Sequence, residues 1–274
     1  MNTTHTASDA AIAKSNAAFP HAASREIEAV YHAPPLHWVG DGFRVRGYFS
    51  SIPDAVSKLN PFLLLDYHPA YDYAPTERPR GVGVHPHRGF ETVTIAWQGS
   101  VAHHDSTGSG GVIGPGDAQW MTAASGILHK EYHERNYARR GGTFQMAQLW
   151  VNLPKAHKLA APRYQSIVAD QFGLVTLPNG EGSVRVLAGE YRGVPGPART
   201  FTPINIWDVR LNAGAKSEFT LADGHSLMLL VLSGEPIDEP VVQYGPFVMN
   251  SEGEIRQAIL DFNAGKFGDI SAFA

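Results

Sequence analysis

The stretch His85-Pro86-His87-Arg88-Gly89-Phe90-Glu91-Thr92-Val93-Thr94, answered further on by Gly126-Ile127-Leu128-His129-Lys130-Glu131, decides how this chain is read. Each segment carries two potential metal ligands separated by one residue. Residues i and i+2 of a β-strand project from the same face. If these segments are strands, His85 and His87 aim at one point, and so do His129 and Glu131. Two such strands side by side supply three imidazoles and one carboxylate, a donor set suited to a divalent first-row metal. A glycine stands near each pair, Gly83 and Gly126, where the backbone is expected to turn sharply or to approach closely. Glu91 would share the face of His87 on an unbroken strand. It would lie roughly 13 Å further along at ~3.3 Å per residue, so it is not counted as a ligand.

A single His-x-His pair is a weak signal, because histidines also serve as hydrogen-bonded core residues. Here the pairing recurs, and histidine is concentrated around it. Six of the 13 histidines (85, 87, 103, 104, 129 and 133) fall within residues 85–133, where an even spread would put about two. His103 and His104 are candidates for supporting the ligands or lining the mouth of the site. His133 reads instead as a solvent-exposed loop histidine. Four nitrogen and oxygen ligands leave one or two positions open on a five- or six-coordinate ion. Closed structural zinc sites are tetrahedral and often use thiolate. Iron(II), one ion per chain, suits imidazole plus carboxylate. Manganese, nickel, cobalt, copper or zinc would also bind, since raw affinity does not select among them.

The rest of the composition narrows the function classes. The chain has 274 residues, 43% hydrophobic, enough for one or two domains with a sizeable core. Its formal net charge of −4 offers no basic field for direct, non-specific nucleic-acid binding. There is no cysteine, which excludes disulfides, thiolate metal sites and cysteine nucleophiles. Residues 1–24, rich in Ala, Thr and Ser, read as a flexible tail without the basic start and apolar run of a secretory signal. No stretch is long and apolar enough to span a membrane, so a cytoplasmic location is expected.

The fold reads as all-β. With 28 glycines and 19 prolines, about one residue in six is a turn signal, against roughly 12% on average. Short apolar runs between those turns predict strands: Phe62–Leu65, Glu91–Trp97, Ala118–Thr122, Thr143–Leu153, Val184–Leu187, Ile204–Leu211 and Ser226–Leu232. Asp66–Pro79 reads as a Pro/Tyr-rich loop whose Tyr67, Tyr71 and Tyr73 either line the mouth or cover the rim of a barrel. Residues 25–154 form the expected metal-binding domain. Lys155–Pro162 is the linker, and 155–274 the C-terminal domain. Near the end, Ser251 and Glu254 make a capping box, Ile255, Ala258, Ile259 and Phe262 keep helical spacing, and Gly265 stops the helix.

Several strings together resemble the pirin family of the cupin superfamily. They are His85 to Val93, Pro115-Gly116-Asp117-Ala118-Gln119-Trp120-Met121-Thr122-Ala123, Gly126 to Glu131, Gln148-Leu149-Trp150-Val151-Asn152-Leu153, Gly234-Glu235-Pro236-Ile237, and Tyr244 to Asn250. The likeness runs from about Pro35 to Gly268. It implies a bicupin, two β-barrel domains with a C-terminal helix. It also implies a metal, usually iron, on His85, His87, His129 and Glu131. Bacterial members of the family are described as quercetin 2,3-dioxygenases, which implies a phenolic substrate and dioxygen; in such a reaction Glu131, on the metal or swung off it, is the expected general base for the substrate hydroxyl. Animal members act as iron- and redox-sensitive transcriptional co-regulators. The alternative to an enzyme is therefore a metal- or redox-sensing binding protein without turnover. One departure stands out. The stretch ending at His225 and the Gly234-Glu235-Pro236 string lie almost adjacent, so the second barrel looks shortened. About five strands can be found over 180–250, where a jelly roll needs about eight. An open sheet of that kind exposes edges that a second copy could cover, giving a homodimer through the C-terminal half.

Overall fold

The structure is a computed structural model that describes residues 26–231, 242–244, 247–249, 252, 253, 256, 257 and 260. The expected tail lies outside these residues. The chain packs as two compact units, Met1–Leu227 and Met228–Ala274. In chain order, the first unit begins with β1 (Leu36–Val39), β2 (Phe43–Gly47), the short helix α1 (Ala55–Leu59) and β3 (Phe62–Tyr73). Then come β4 (Gly81–His87), β5 (Phe90–Gln98), β6 (Val101–Asp105), β7 (Gly110–Ile113), β8 (Ala118–Thr122) and β9 (Ile127–His133). After helix α2 (Arg135–Arg140) follow β10 (Gly142–Asn152), β11 (Arg163–Ile167), β12 (Gly173–Thr176), β13 (Gly182–Ala188), β14 (Glu190–Tyr191), β15 (Val194–Pro195) and β16 (Ile206–Leu211). In the second unit, β17 (Val242–Tyr244) and β18 (Phe247–Met249) pair as a hairpin, and residues 252, 253, 256, 257 and 260 are helical. That agrees with the expected C-terminal helix, although its capping box and apolar stripe lie outside the described residues.

Two antiparallel sheets face each other in the first unit. One has seven strands in the order β1-β2-β3-β10-β5-β8-β11, the other four in the order β4-β9-β6-β7. The class is all-β, as expected. The two sheets are not hydrogen-bonded into one closed barrel. Between them, Phe43, Val45, Tyr73, Ala96, Val101, Ile113, Tyr137, Phe144 and Met146 form a buried apolar cluster at one end. Each large side chain fully buried there contributes about 1.5–3 kcal/mol. A three-stranded sheet, β12-β13-β16, follows. It is tied to the seven-stranded sheet by Asp208, whose carboxylate accepts from Trp97 Nε1 and Arg185, both at 3.0 Å. Arg185 also donates to the Gly116 carbonyl at 2.6 Å.

Two sequence expectations are corrected. Asp66–Tyr73 is not a loop. It continues β3, paired with β10 from Tyr73↔Gly142 to Phe62↔Val151. Pro69 fits because the register slips between Tyr71↔Phe144 and His68↔Met146, and a bulge is one of the few places in a sheet where a missing N–H is harmless. The expected strand over Ser226–Leu232 is absent from 226–231, and Leu232 lies outside the described residues. No neighbouring strand pairs with it among the described residues, and Leu227, Leu229 and Val231 are exposed. Beyond the expected linker, β11 returns to the first sheet and pairs with β8 from Arg163↔Thr122 to Ile167↔Ala118.

Candidate metal centre

The site is built on β4 and β9, which lie antiparallel with His85 opposite His129 and His87 opposite Ile127. On β9 the burial alternates strictly: Ile127, His129, Glu131 and His133 are buried, while Leu128 and Lys130 are exposed. The period of two therefore turns His129 and Glu131 inward together. On β4 an irregularity between Val82↔Glu131 and His85↔His129 inserts one extra residue. Val82 and His85 consequently both pair with inward-facing residues, although they are three apart.

His85, His87 and His129 converge, each offering a ring nitrogen, all within 4.8 Å of one another. The Nε2 atoms of His85 and His129 are 2.9 Å apart. His85 Nδ1–H donates to the Gly83 carbonyl at 2.8 Å, which leaves the lone pair on Nε2, aimed at the other imidazoles. Burial, followed by the neighbouring imidazoles, pushes His129 down to about 3 and His87 to about 4. Both rings are neutral at pH 7, the form that binds a metal. Without a metal, His129 Nε2–H can donate to the His85 Nε2 lone pair; with its proton on Nδ1 instead, His129 presents its own Nε2 lone pair to the same point. The three imidazoles therefore fit a divalent metal.

Glu131 is not one of that closest set. Its carboxylate is buried, and burial raises its pKa, opposed first by the hydrogen bond from Gln148. Gln148 Nε2 donates to one oxygen at 2.9 Å, and the Thr94 hydroxyl reaches the other at 3.4 Å. Trp150 Nε1 donates to Gln148 Oε1 at 3.2 Å. The Trp150 ring stands edge-on to His87 with centroids 5.2 Å apart, and Phe90 lies 5.0 Å from His87 and 4.5 Å from Trp150. An aromatic wall thus covers one side of the imidazoles.

The remaining candidates fall in different places. His103 pairs with Glu131 across β6 and β9, and its Nε2 is in contact with the Tyr164 hydroxyl. Burial pushes it down to about 4, and its Nδ1 has no partner among the described residues. His104 is exposed and stacks on Tyr132. His133 is not a loop histidine, which corrects the expectation from sequence. β9 runs two residues past Glu131, so the same alternation turns His133 inward, fully buried, with Nε2 donating to the Gly42 carbonyl at 2.8 Å. Glu91 does not share the face of His87. The chain turns at Gly89 (φ +84), and Glu91 pairs with Thr122, whose hydroxyl donates to it at 2.6 Å. Tyr67 and Tyr73 are buried, and Tyr73 belongs to the apolar core. The two glycines differ. Gly126 has φ +123, which only glycine adopts readily, whereas an added Cβ at Gly83 would meet nothing within 4 Å.

Sequence reasoning missed Gln148, Thr94, Trp150 and Tyr164. Their roles depend on register between strands far apart in sequence. The one available signal was Gln148, a polar residue between the apolar, buried Ala147 and Leu149.

Two facing antiparallel sheets with inward histidines on adjacent strands define a cupin-type protein. The chain belongs to the pirin family: residues 42–151 match Pirin and residues 178–268 match the Pirin C-terminal cupin domain. It is 47% identical to the Pseudomonas aeruginosa protein named "Putative quercetin 2,3-dioxygenase", over 89% of this chain and 98% of that one. It is 35% identical to human Pirin, over 84% of this chain and 89% of the other. The crystal structure of quercetin 2,3-dioxygenase from Acinetobacter baumannii superposes with a TM-score of 0.67 at 42% identity, covering 88% of this chain and 97% of that one. Among the described residues no helix is long and apolar enough to cross a membrane.

Proposed function

We propose that this protein is a metal-dependent dioxygenase acting on a flavonol or related phenolic, with its metal held by His85, His87, His129 and Glu131. The observation that carries the reading is the convergence of three imidazoles within 4.8 Å beside a buried carboxylate. A divalent ion there, iron(II) first, would supply Lewis acidity toward the substrate's oxygens and redox chemistry with dioxygen. The chain supplies the rest. Glu131 takes the proton of the flavonol 3-hydroxyl at a carboxylate oxygen. Gln148 and Thr94 hold that carboxylate in place. Phe90 and Trp150 present an aromatic wall for a planar ring, and burial of His87, His129 and Glu131 keeps bulk water from the reacting oxygens. Self-association through the C-terminal half belongs to the same proposal, and a single species at monomer mass in dilute-solution scattering would remove it.

The test is anaerobic reconstitution with iron(II), manganese, nickel, cobalt, copper or zinc separately. Quercetin is then added, and oxygen uptake is followed together with loss of flavonol absorbance. Metal-dependent uptake that disappears in His85→Ala and His129→Ala supports the dioxygenase. No uptake from a fully loaded site would transfer the assignment to a metal- or redox-sensing binding protein.

A further inference from the structure

We infer that Gln148 is a positioning residue for the Glu131 carboxylate, and that Trp150 fixes which end of the Gln148 amide faces it. The inference rests on the proposed metal set of His85, His87, His129 and Glu131. An amide has an acceptor end and a donor end, whereas an indole N–H can only donate. Trp150 Nε1 meets Gln148 at 3.2 Å, so the amide oxygen must be the end turned to it. The Nε2 end is then left facing Glu131 Oε2 at 2.9 Å, with Thr94 Oγ1 at 3.4 Å. The flipped amide would set N–H against N–H and oxygen against carboxylate, losing both bonds.

The register explains why these groups meet. Gln148 pairs with Thr94, and Trp150 with Thr92, across β10 and β5, so alternate residues of both strands share the face toward β9. Thr94 completes the arrangement with its hydroxyl 3.4 Å from Glu131 Oε1, giving each carboxylate oxygen a donor. A buried carboxylate needs such partners to hold one orientation. Trp150 has a second contact, its ring edge-on to His87 at 5.2 Å. One side chain therefore bears on an imidazole directly and on the carboxylate through Gln148, which links two members of the site that belong to different strands.

The experiment uses the full chain, stripped of metal and titrated with cobalt(II), with calorimetry for affinity and the visible ligand-field spectrum for the environment of the ion. Gln148→Leu should weaken cobalt binding about 10- to 100-fold and change the spectrum. Trp150→Phe keeps an aromatic ring but lacks the N–H. It should weaken binding roughly two- to tenfold, the equivalent of one lost hydrogen bond, with a spectral change in the same direction. If Gln148→Leu does not fold, Trp150→Phe decides alone. Wild-type affinity and spectrum in the folded variants, while His129→Ala abolishes binding, would overturn the inference and leave the metal site standing. If the wild type and His129→Ala take up cobalt alike, the metal reading fails and the inference falls with it.

Discussion

His133 offers a sharp test, because its environment predicts an acid-sensitive core residue rather than a ligand. The ring is fully buried, with centroids 4.5 Å from Tyr73 and 4.9 Å from Phe144. Burial pushes it down to about 4, against about 6.5 in the unfolded chain. The sign follows from which state binds the proton. Above pH 6.5 neither state does, and the residue has no pH effect. Between 6.5 and 4 the unfolded chain takes a proton that the folded one refuses, so stability falls as pH falls. Each pH unit in that window is worth about 1.4 kcal/mol, so going from pH 7 to pH 5 costs about 2 kcal/mol through this residue alone. His133→Phe removes that loss. It gives up the bond to the Gly42 carbonyl, which Tyr73 OH still satisfies at 2.7 Å. Urea unfolding of both proteins at pH 7 and pH 5 in EDTA measures the difference, and the other buried histidines cancel because both proteins share them. The variant should gain about 2 kcal/mol on the wild type between the two pH values while binding cobalt(II) with unchanged affinity. Equal pH dependence, or loss of cobalt binding, would refute the assignment.

Other consequences can be checked with similar means. Glu131→Gln, loaded at saturating metal and checked by elemental analysis, should lose about 10²- to 10⁴-fold in turnover, the usual worth of a general base; unchanged oxygen uptake would remove that role. Gly126→Ala should destabilise by about 1–3 kcal/mol because of its φ of +123, whereas Gly83→Ala, facing open space, should stay within about 0.5 kcal/mol; equal urea midpoints would contradict the contrast. Chelation should lower the thermal midpoint, and restoring metal at about 100 times its Kd should return about 2.7 kcal/mol; a midpoint indifferent to EDTA would argue against a resident ion.

What is legible in the sequence is what depends on local period. His85 and His87, and His129 and Glu131, share faces because i and i+2 always do in a strand, and the all-β class follows from turn density. What stays hidden depends on length and register. His133 reads as a loop residue because nothing local marks where β9 ends. Asp66–Tyr73 reads as a loop because Pro69 is a breaker in an ordinary strand, and only the bulge opposite β10 tolerates it. Gln148 and Glu131 are 17 positions apart and on different sheets, so their 2.9 Å contact is a product of how the sheets face. The run over 226–231 shows the converse: apolar residues in sequence are not a strand unless another strand lies beside them.

The Gly42 carbonyl receives two hydrogen bonds, one from Tyr73 on the seven-stranded sheet and one from His133 on the four-stranded sheet. It acts as a rivet through both layers, set among the rings of Phe43, Tyr73, Tyr137 and Phe144. That end of the sandwich is packed with buried aromatic rings. At the other end of β4 the chain turns into β5 at Arg88-Gly89. There a single ammonium, Lys158, holds the Gly89 carbonyl at 2.9 Å and Asn152 at 2.7 Å. Two hydrogen bonds from one long side chain thus tie the turn between β4 and β5 to the last residue of β10.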